Sequence, residues 1–169
     1  FGGSCFKKDI LNLVYLCEYF GLPQVAKFWN EVVEINRWNQ ERISSLITKK
    51  LFGTLSKKRI TVLGFAFKAN TNDTRESPAI NICKELIVEG GNLFIYDPKV
   101  TSSQIEKDLE ISMRNINEKN KEEEEGSWYF TKDIIEAVTN ADAVVILTEW
   151  DSFKKLDWEK IANLMRKPS

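Results

Sequence analysis

The chain has 169 residues, 43% of them apolar and 29% charged, with 24 Lys and Arg against 25 Asp and Glu for a net charge of −1. That length and composition suit one globular domain with an appendage, and the missing basic excess argues against a general nucleic-acid binder. The absence of histidine excludes a Ser-His-Asp triad, a Cys-His dyad and a His-ligated zinc site among these residues, so any chemistry falls to Cys, Lys, Asp or Glu.

Residues 1–8, FGGSCFKK, read as a glycine-bearing loop. A helix is expected from about Asp9 to Phe20, with Asp9 as cap or first-turn acid and Ile10, Leu13, Val14 and Cys17 on one face. Gly21-Leu22-Pro23 breaks it. A second helical pattern runs from Pro23 to about Leu51 through Val25, Phe28, Val32, Ile35, Ile43, Leu46 and Ile47. At ~1.5 Å per residue it is about 42 Å long. Such a helix suits a bridge between domains or a subunit interface; the plainer reading is a long helix packed on its own domain.

The pattern then changes. Arg59–Phe65 reads as a buried strand, and Ser77-Pro78 opens a helix that Gly90-Gly91 ends after about Glu89. Asn92–Tyr96 is the next strand, closed by Asp97-Pro98, and a polar stretch with one short helix follows. Residues 117–127, NEKNKEEEEGS, read as a mobile, solvated charged loop. A short strand at Trp128–Phe130, a helix at Lys132–Val138, a strong buried strand at Ala141–Thr148 and a helix at Leu156–Met165 complete the pattern. Strands alternating with helices predict a doubly wound, parallel, Rossmann-like α/β sheet, preceded by a helical segment with a long connecting helix. A further strand is expected after Ser169. The chain starts at Phe1 and stops at Lys167-Pro168-Ser169 just after a helical pattern, so it reads as part of a longer protein.

Three cysteines, Cys5, Cys17 and Cys83, are dispersed and odd in number, which suits a reducing, cytoplasmic setting rather than a disulfide framework. Cys17 and Cys83 fall in helical patterns with apolar neighbours and read as structural. No apolar run approaches the ~20 residues of a membrane span, and no secretory signal is visible.

Two stretches could carry chemistry. In Phe1–Asp9, the glycines let backbone N–H groups approach a ligand. Cys5 lies just before a helix start, with Lys8 near, and both features favour a thiolate nucleophile; Asp9 could orient or deprotonate a water. The competing reading is a small buried cysteine beside a helix cap. In Gly64–Pro78, a long loop leaves the carboxyl end of a strand, where doubly wound sheets bind ligands, and Lys68 and Arg75 offer charge to phosphates; alternatively it is an ordinary charged surface loop. No G-x-G-x-x-G occurs, so the usual pyrophosphate fingerprint of a dinucleotide domain is missing.

Taken together, FGGSCFKKD, GFAFKANTNDTRESPA, IYDPKV and LTEWDSFKKLD resemble, in order and spacing, the UDP-glucose 6-dehydrogenases, a branch of the nucleotide-sugar dehydrogenases. The resemblance covers essentially the whole chain and is weakest over about 108–127. It implies that residues 1–55 are the end of a helical middle domain, with the cysteine loop and a central helix that contributes to dimerisation. Residues 56–169 are then most of a nucleotide-sugar-binding α/β domain. The resemblance further implies an enzyme that oxidises UDP-glucose with two NAD, working as a homodimer or higher homo-oligomer without nucleic acid, membrane or metal. By position, Cys5 is its nucleophile, Asp9 assists water or proton handling, and Lys8 lies near the cofactor and the developing oxyanion. Phe1 and Gly2 match the substrate-binding glycine loop, Phe67 and Lys68 meet the nucleotide sugar, and Arg75 reaches NAD, so that Cys5, Lys8 and Arg75 border the cofactor. The family's dinucleotide fold, a second catalytic lysine, a general-acid glutamate and a later substrate-contacting arginine are expected outside these residues. Relatives acting on UDP-N-acetyl-mannosamine or GDP-mannose share the cysteine and AFK elements. A non-catalytic binding or oligomerising module is the reading from another class.

Overall fold

The computed structural model describes residues 1–114 and 126–166. The charged loop expected at 117–127 therefore lies, but for Gly126 and Ser127, outside the described residues.

Two helices open the chain. α1 (Ser4–Tyr19) begins at Gly3, earlier than expected. Asp9 is thus inside the helix rather than at its cap, and Cys5 sits in the first turn rather than before it. The start was illegible locally because no side chain caps it; the Gly3 N–H instead donates to the carbonyl of distant Glu76, at 3.3 Å. α2 (Pro23–Lys50) has 28 residues, opens with Pro in its first turn and carries Lys49 and Lys50 in its last, where cations complement the helix dipole. α1 and α2 pack together, with Ile10, Cys17 and Ala26 buried. Most of the expected apolar stripe on α2 is uncovered, with Val25, Phe28, Ile35 and Leu46 all exposed.

A parallel sheet follows. β1 (Arg59–Leu63), β2 (Asn92–Tyr96), β3 (Ser127–Phe130) and β4 (Ala143–Ile146) lie in the order β3-β2-β1-β4. β1 pairs with β2 through Val62↔Ile95 and with β4 through Val62↔Val145. The chain winds outward through β3, then crosses to the far side of β1, which is the doubly wound pattern expected. The crossovers are α3 (Pro78–Val88), α4 (Ser102–Leu109) and α5 (Ile134–Val138), with α6 (Asp151–Lys154) and α7 (Trp158–Leu164) after β4. α3 obeys its local signals: the Ser77 hydroxyl accepts from the Ala79 N–H, Pro78 is at the first turn and Glu89 is the C-cap. α6, a single turn, was not legible.

The core joins Ile60, Val62, Leu93, Ile95 and Trp128 of the strands to Ile82, Leu86, Ile105 and Leu109 of α3 and α4. Each such aliphatic side chain contributes roughly 2 kcal/mol when fully buried. The neighbouring sheet residue Thr61 points to the other face, where its hydroxyl donates to the Ala137 carbonyl of α5 at 2.6 Å. One expectation fails here. β4 is not a buried strand: its residues are half-buried and Ile146 is exposed. Among the described residues β4 pairs only with β1, so one edge lacks a neighbour. No helix among the described residues is long and apolar enough to cross a membrane.

Candidate functional site

In a doubly wound sheet the crevice opens where strand order reverses, at the carboxyl ends of the strands. Here that point lies between β1 and β4. The backbone leaving β1 is pinned from three sides. Asp97, at the end of β2, is buried. Its Oδ2 accepts from the Phe65 and Ala66 N–H groups at 2.7 and 3.1 Å, and its Oδ1 from the Lys99 and Val100 N–H groups at 2.8 and 2.9 Å. The Ser77 hydroxyl donates to the Phe65 carbonyl at 2.7 Å, and the Thr148 hydroxyl, after β4, to the Ala66 carbonyl at 2.6 Å. Gly64 has φ 89°, and a methyl group there would overlap the Thr148 side chain. Every backbone polar group of Phe65 and Ala66 is thus held by a side chain, and charge-assisted bonds are the stronger kind. Phe67 and Lys68 leave from this fixed base. Phe67 is half-buried and Lys68 exposed, with Lys68 Nζ 5.4 Å from the Phe67 ring centroid. Sequence reasoning missed the role of Asp97; Asp-Pro at a strand end read only as a turn.

The opening segment of the chain docks on this loop. A Cβ on Gly2 would fall 2.6 Å from Pro78 Cδ and 2.7 Å from the Glu76 carbonyl, and one on Gly3 2.9 Å from the Phe67 ring. Gly3 has φ 87°, a conformation glycine adopts without strain. Glu76 itself holds φ 54°, and its carboxylate pairs with Lys7 Nζ at 2.8 Å. The Phe1 nitrogen donates to Asn36 Oδ1 at 2.6 Å, and Asn36 Nδ2 to the Phe1 carbonyl at 3.0 Å. Glycine loop and Phe67 loop, remote in sequence, therefore share one surface. An open groove of ≈ 520 Å³ lies behind them, lined in part by Gly2, Lys7, Asn36, Arg37, Glu76 and Asn81.

Starting α1 at Ser4 puts Cys5, Lys8 and Asp9 on one exposed helical face, since residues three and four apart are neighbours there. Cys5 sits among N–H groups that lack intrahelical partners, with Ser4 Oγ 4.0 Å from its Sγ. The other two cysteines are buried, and burial pushes the Cys83 thiol far above its usual range. Arg75 is exposed and aimed by Asp73, with Nε 3.0 Å from Oδ1 and Nη2 2.7 Å from Oδ2. The fork lowers the Asp73 pKa and raises that of Arg75; the charge of Cys5 is a lesser contribution in the same direction on Arg75. Cys5 and Arg75 are thus within electrostatic range of each other.

A doubly wound α/β domain with a pinned loop at its strand-order reversal is thus docked on a helical pair that carries an exposed thiol, the arrangement of a binding domain joined to a helical segment. Residues 61–169 match the family model described as the UDP-binding domain of the UDP-glucose/GDP-mannose dehydrogenase family, and the chain belongs to that family. It is 44% identical over 178 residues to UDP-glucose 6-dehydrogenase 4 of Arabidopsis thaliana, covering 100% of this chain and 36% of that protein. It is 50% identical over 171 residues to UDP-glucose 6-dehydrogenase of Pongo abelii, covering 100% of this chain and 33% of that protein. A solved UDP-glucose dehydrogenase from Pyrobaculum islandicum superposes with a TM-score of 0.73 at 26% identity, over 94% of this chain and 32% of that one. The chain thus spans about a third of the length of these relatives.

Proposed function

We propose that this chain is the C-terminal part of an NAD-dependent dehydrogenase that oxidises UDP-glucose to UDP-glucuronate, with Cys5 as the covalent nucleophile. The observation that carries the reading is the docking of the Phe1-Gly2-Gly3 segment, next to Cys5, onto Phe67 and Glu76. It joins a thiol-bearing helix start to the edge of a sheet whose family description is UDP binding. The relatives covering the whole chain at 44% and 50% identity carry UDP-glucose 6-dehydrogenase as their name.

In this mechanism Phe1, Gly2, Phe67 and Lys68 hold the nucleotide sugar, Lys68 by charge on its phosphates. The C6 alcohol first loses a hydride and, to water, its hydroxyl proton, which gives the aldehyde. Cys5 Sγ then adds to the aldehyde carbon, and the aldehyde oxygen becomes an alkoxide that the Lys8 ammonium stabilises. Loss of hydride from this thiohemiacetal leaves a thioester on Cys5. Asp9 takes a proton from water, which attacks the thioester carbon; the thiolate leaves and the sugar carboxylate is released. NAD, when bound, supplies the hydride acceptor for both oxidations. An exposed Arg75, aimed by Asp73, fits an anionic cofactor, whereas the chain holds no glycine-rich dinucleotide fingerprint. The reading therefore assigns Cys5, Lys8 and Arg75 to the near edge of the cofactor and most of its site to the rest of the protein. Residues 1–169 alone are expected to be inactive. The exposed stripe of α2 serves a homodimer or larger homo-oligomer.

The full-length protein, given NAD and UDP-glucose, is expected to form two NADH per sugar, a ratio of ~2 set by the four-electron change, and Cys5→Ser is expected to abolish the acid product. No turnover with UDP-glucose, UDP-N-acetyl-mannosamine or GDP-mannose would overturn the enzymatic reading in favour of a binding module.

A further inference from the structure

We propose that Asn36, on the long helix α2, is a positioning residue that holds the Phe1-Gly2-Gly3 backbone, and with it the Cys5 turn, in register with the Phe67 loop. The tether itself is a structural matter; its kinetic consequence rests on the function proposed above.

A glycine pair has the largest backbone freedom to lose, and ordering each residue costs roughly 1–2 kcal/mol. Gly2 and Gly3 have no side chains with which to anchor themselves, so backbone contacts must do it. On one side the Glu76 carbonyl takes the Gly3 N–H. On the other, Asn36 Nδ2 donates to the Phe1 carbonyl at 3.0 Å, a bond that does not depend on the amino terminus, while Oδ1 accepts at 2.6 Å from the Phe1 nitrogen, here a terminal ammonium and in a longer chain a peptide N–H. One side chain thereby does what a neighbouring strand would do for a single residue. The groove behind the loop is open, so packing does not hold the segment from that side.

Asn36 has no comparable duty in its own helix. Asparagine is a weaker helix former than alanine, in part because its side chain competes for backbone groups. In mid-helix it commonly bonds its own turn or faces water; here it reaches a residue 35 positions away. Its neighbours Ile35 and Trp38 are 60% and 58% exposed, so this stretch of α2 is not part of the core. Replacing Asn36 by alanine leaves the helix intact and removes only the tether. In a reaction that needs thiol, sugar and helix start aligned, a displacement of about 1 Å can cost on the order of 100-fold in rate.

The test uses the full-length enzyme and Asn36→Ala. Amide hydrogen exchange over residues 1–6 is expected to accelerate about tenfold or more, while β1 and α3 keep their protection. The KM for UDP-glucose is expected to rise and kcat to fall, each by about tenfold. Asn36→Asp keeps the acceptor for the Phe1 N–H and loses the donor, and its exchange should fall between the two; it also serves if the alanine variant is poorly expressed. Wild-type exchange in both variants overturns the proposal. So does a uniform loss of protection across the domain, which would make Asn36 a residue of general stability. If the wild-type protein turns over no nucleotide sugar, the functional reading fails while the exchange experiment still decides the tether.

Discussion

Cys5 and Cys83 show how placement puts one residue type into two environments. Cys5 is exposed in a helix first turn, whereas Cys83 is buried on α3. Burial disfavours the Cys83 thiolate and raises its pKa well above the usual value of 9.0. The unfolded chain therefore releases that proton from about pH 9 upward while the folded chain retains it. This contribution to stability is complete below pH 9 and is lost as pH rises, by up to about 1.4 kcal/mol per pH unit. Chemical denaturation at pH 8, 9 and 10 is expected to show this decline in the wild type and a shallower one in Cys83→Ala. The sequence reading of Cys17 and Cys83 as structural agrees with their burial, because apolar neighbours at helical spacing are a local signal. Cys5 offered no such signal: it is exposed rather than buried beside a helix cap, and that exposure depends on where α1 starts.

Among the elements, agreement follows how local the determinants are. α3 and the long α2 match their expected bounds because proline, serine and glycine act within a turn of the chain. α1 begins earlier than expected because its start is set by Gly3 docking on Glu76. The strand expected to be buried at Ala141–Thr148 is shorter and half-buried, since burial depends on a neighbour that the strand's own residues do not specify. Asp97 joins the ends of β1 and β2 through four backbone N–H groups. Asp97→Ala leaves at least the buried Phe65 and Ala66 donors unpaired, at roughly 1–3 kcal/mol each, so a loss of about 3–5 kcal/mol is expected. A lower urea midpoint with an unchanged slope would register it; a wild-type midpoint would show that the loop after β1 holds without this carboxylate.

At the scale of the molecule, the helical pair presents Tyr19 72%, Phe28 64%, Ile35 60% and Trp38 58% exposed. Large apolar side chains left exposed in this way are what an interaction face presents. On the proposed function it is covered by a second copy. The full-length protein is expected to sediment as a dimer or larger, and Phe28→Glu with Trp38→Glu to shift it toward monomer. A wild-type monomer at micromolar concentration would contradict this.

The amino-acid sequence by itself determined the parallel α/β class, the long helix, the caps of α3 and the two motifs that proved to lie together. Periodicity, capping and turn chemistry act over a few residues, so a linear reading captures them. Only the tertiary structure decided the start of α1, the common face of Cys5, Lys8 and Asp9, the pinning of Phe65 and Ala66 by Asp97, Ser77 and Thr148, and the hold of Asn36 on Phe1. Each of these rests on groups far apart in the chain, which meet only once loop-closure entropy has been overcome by burial of the core between them.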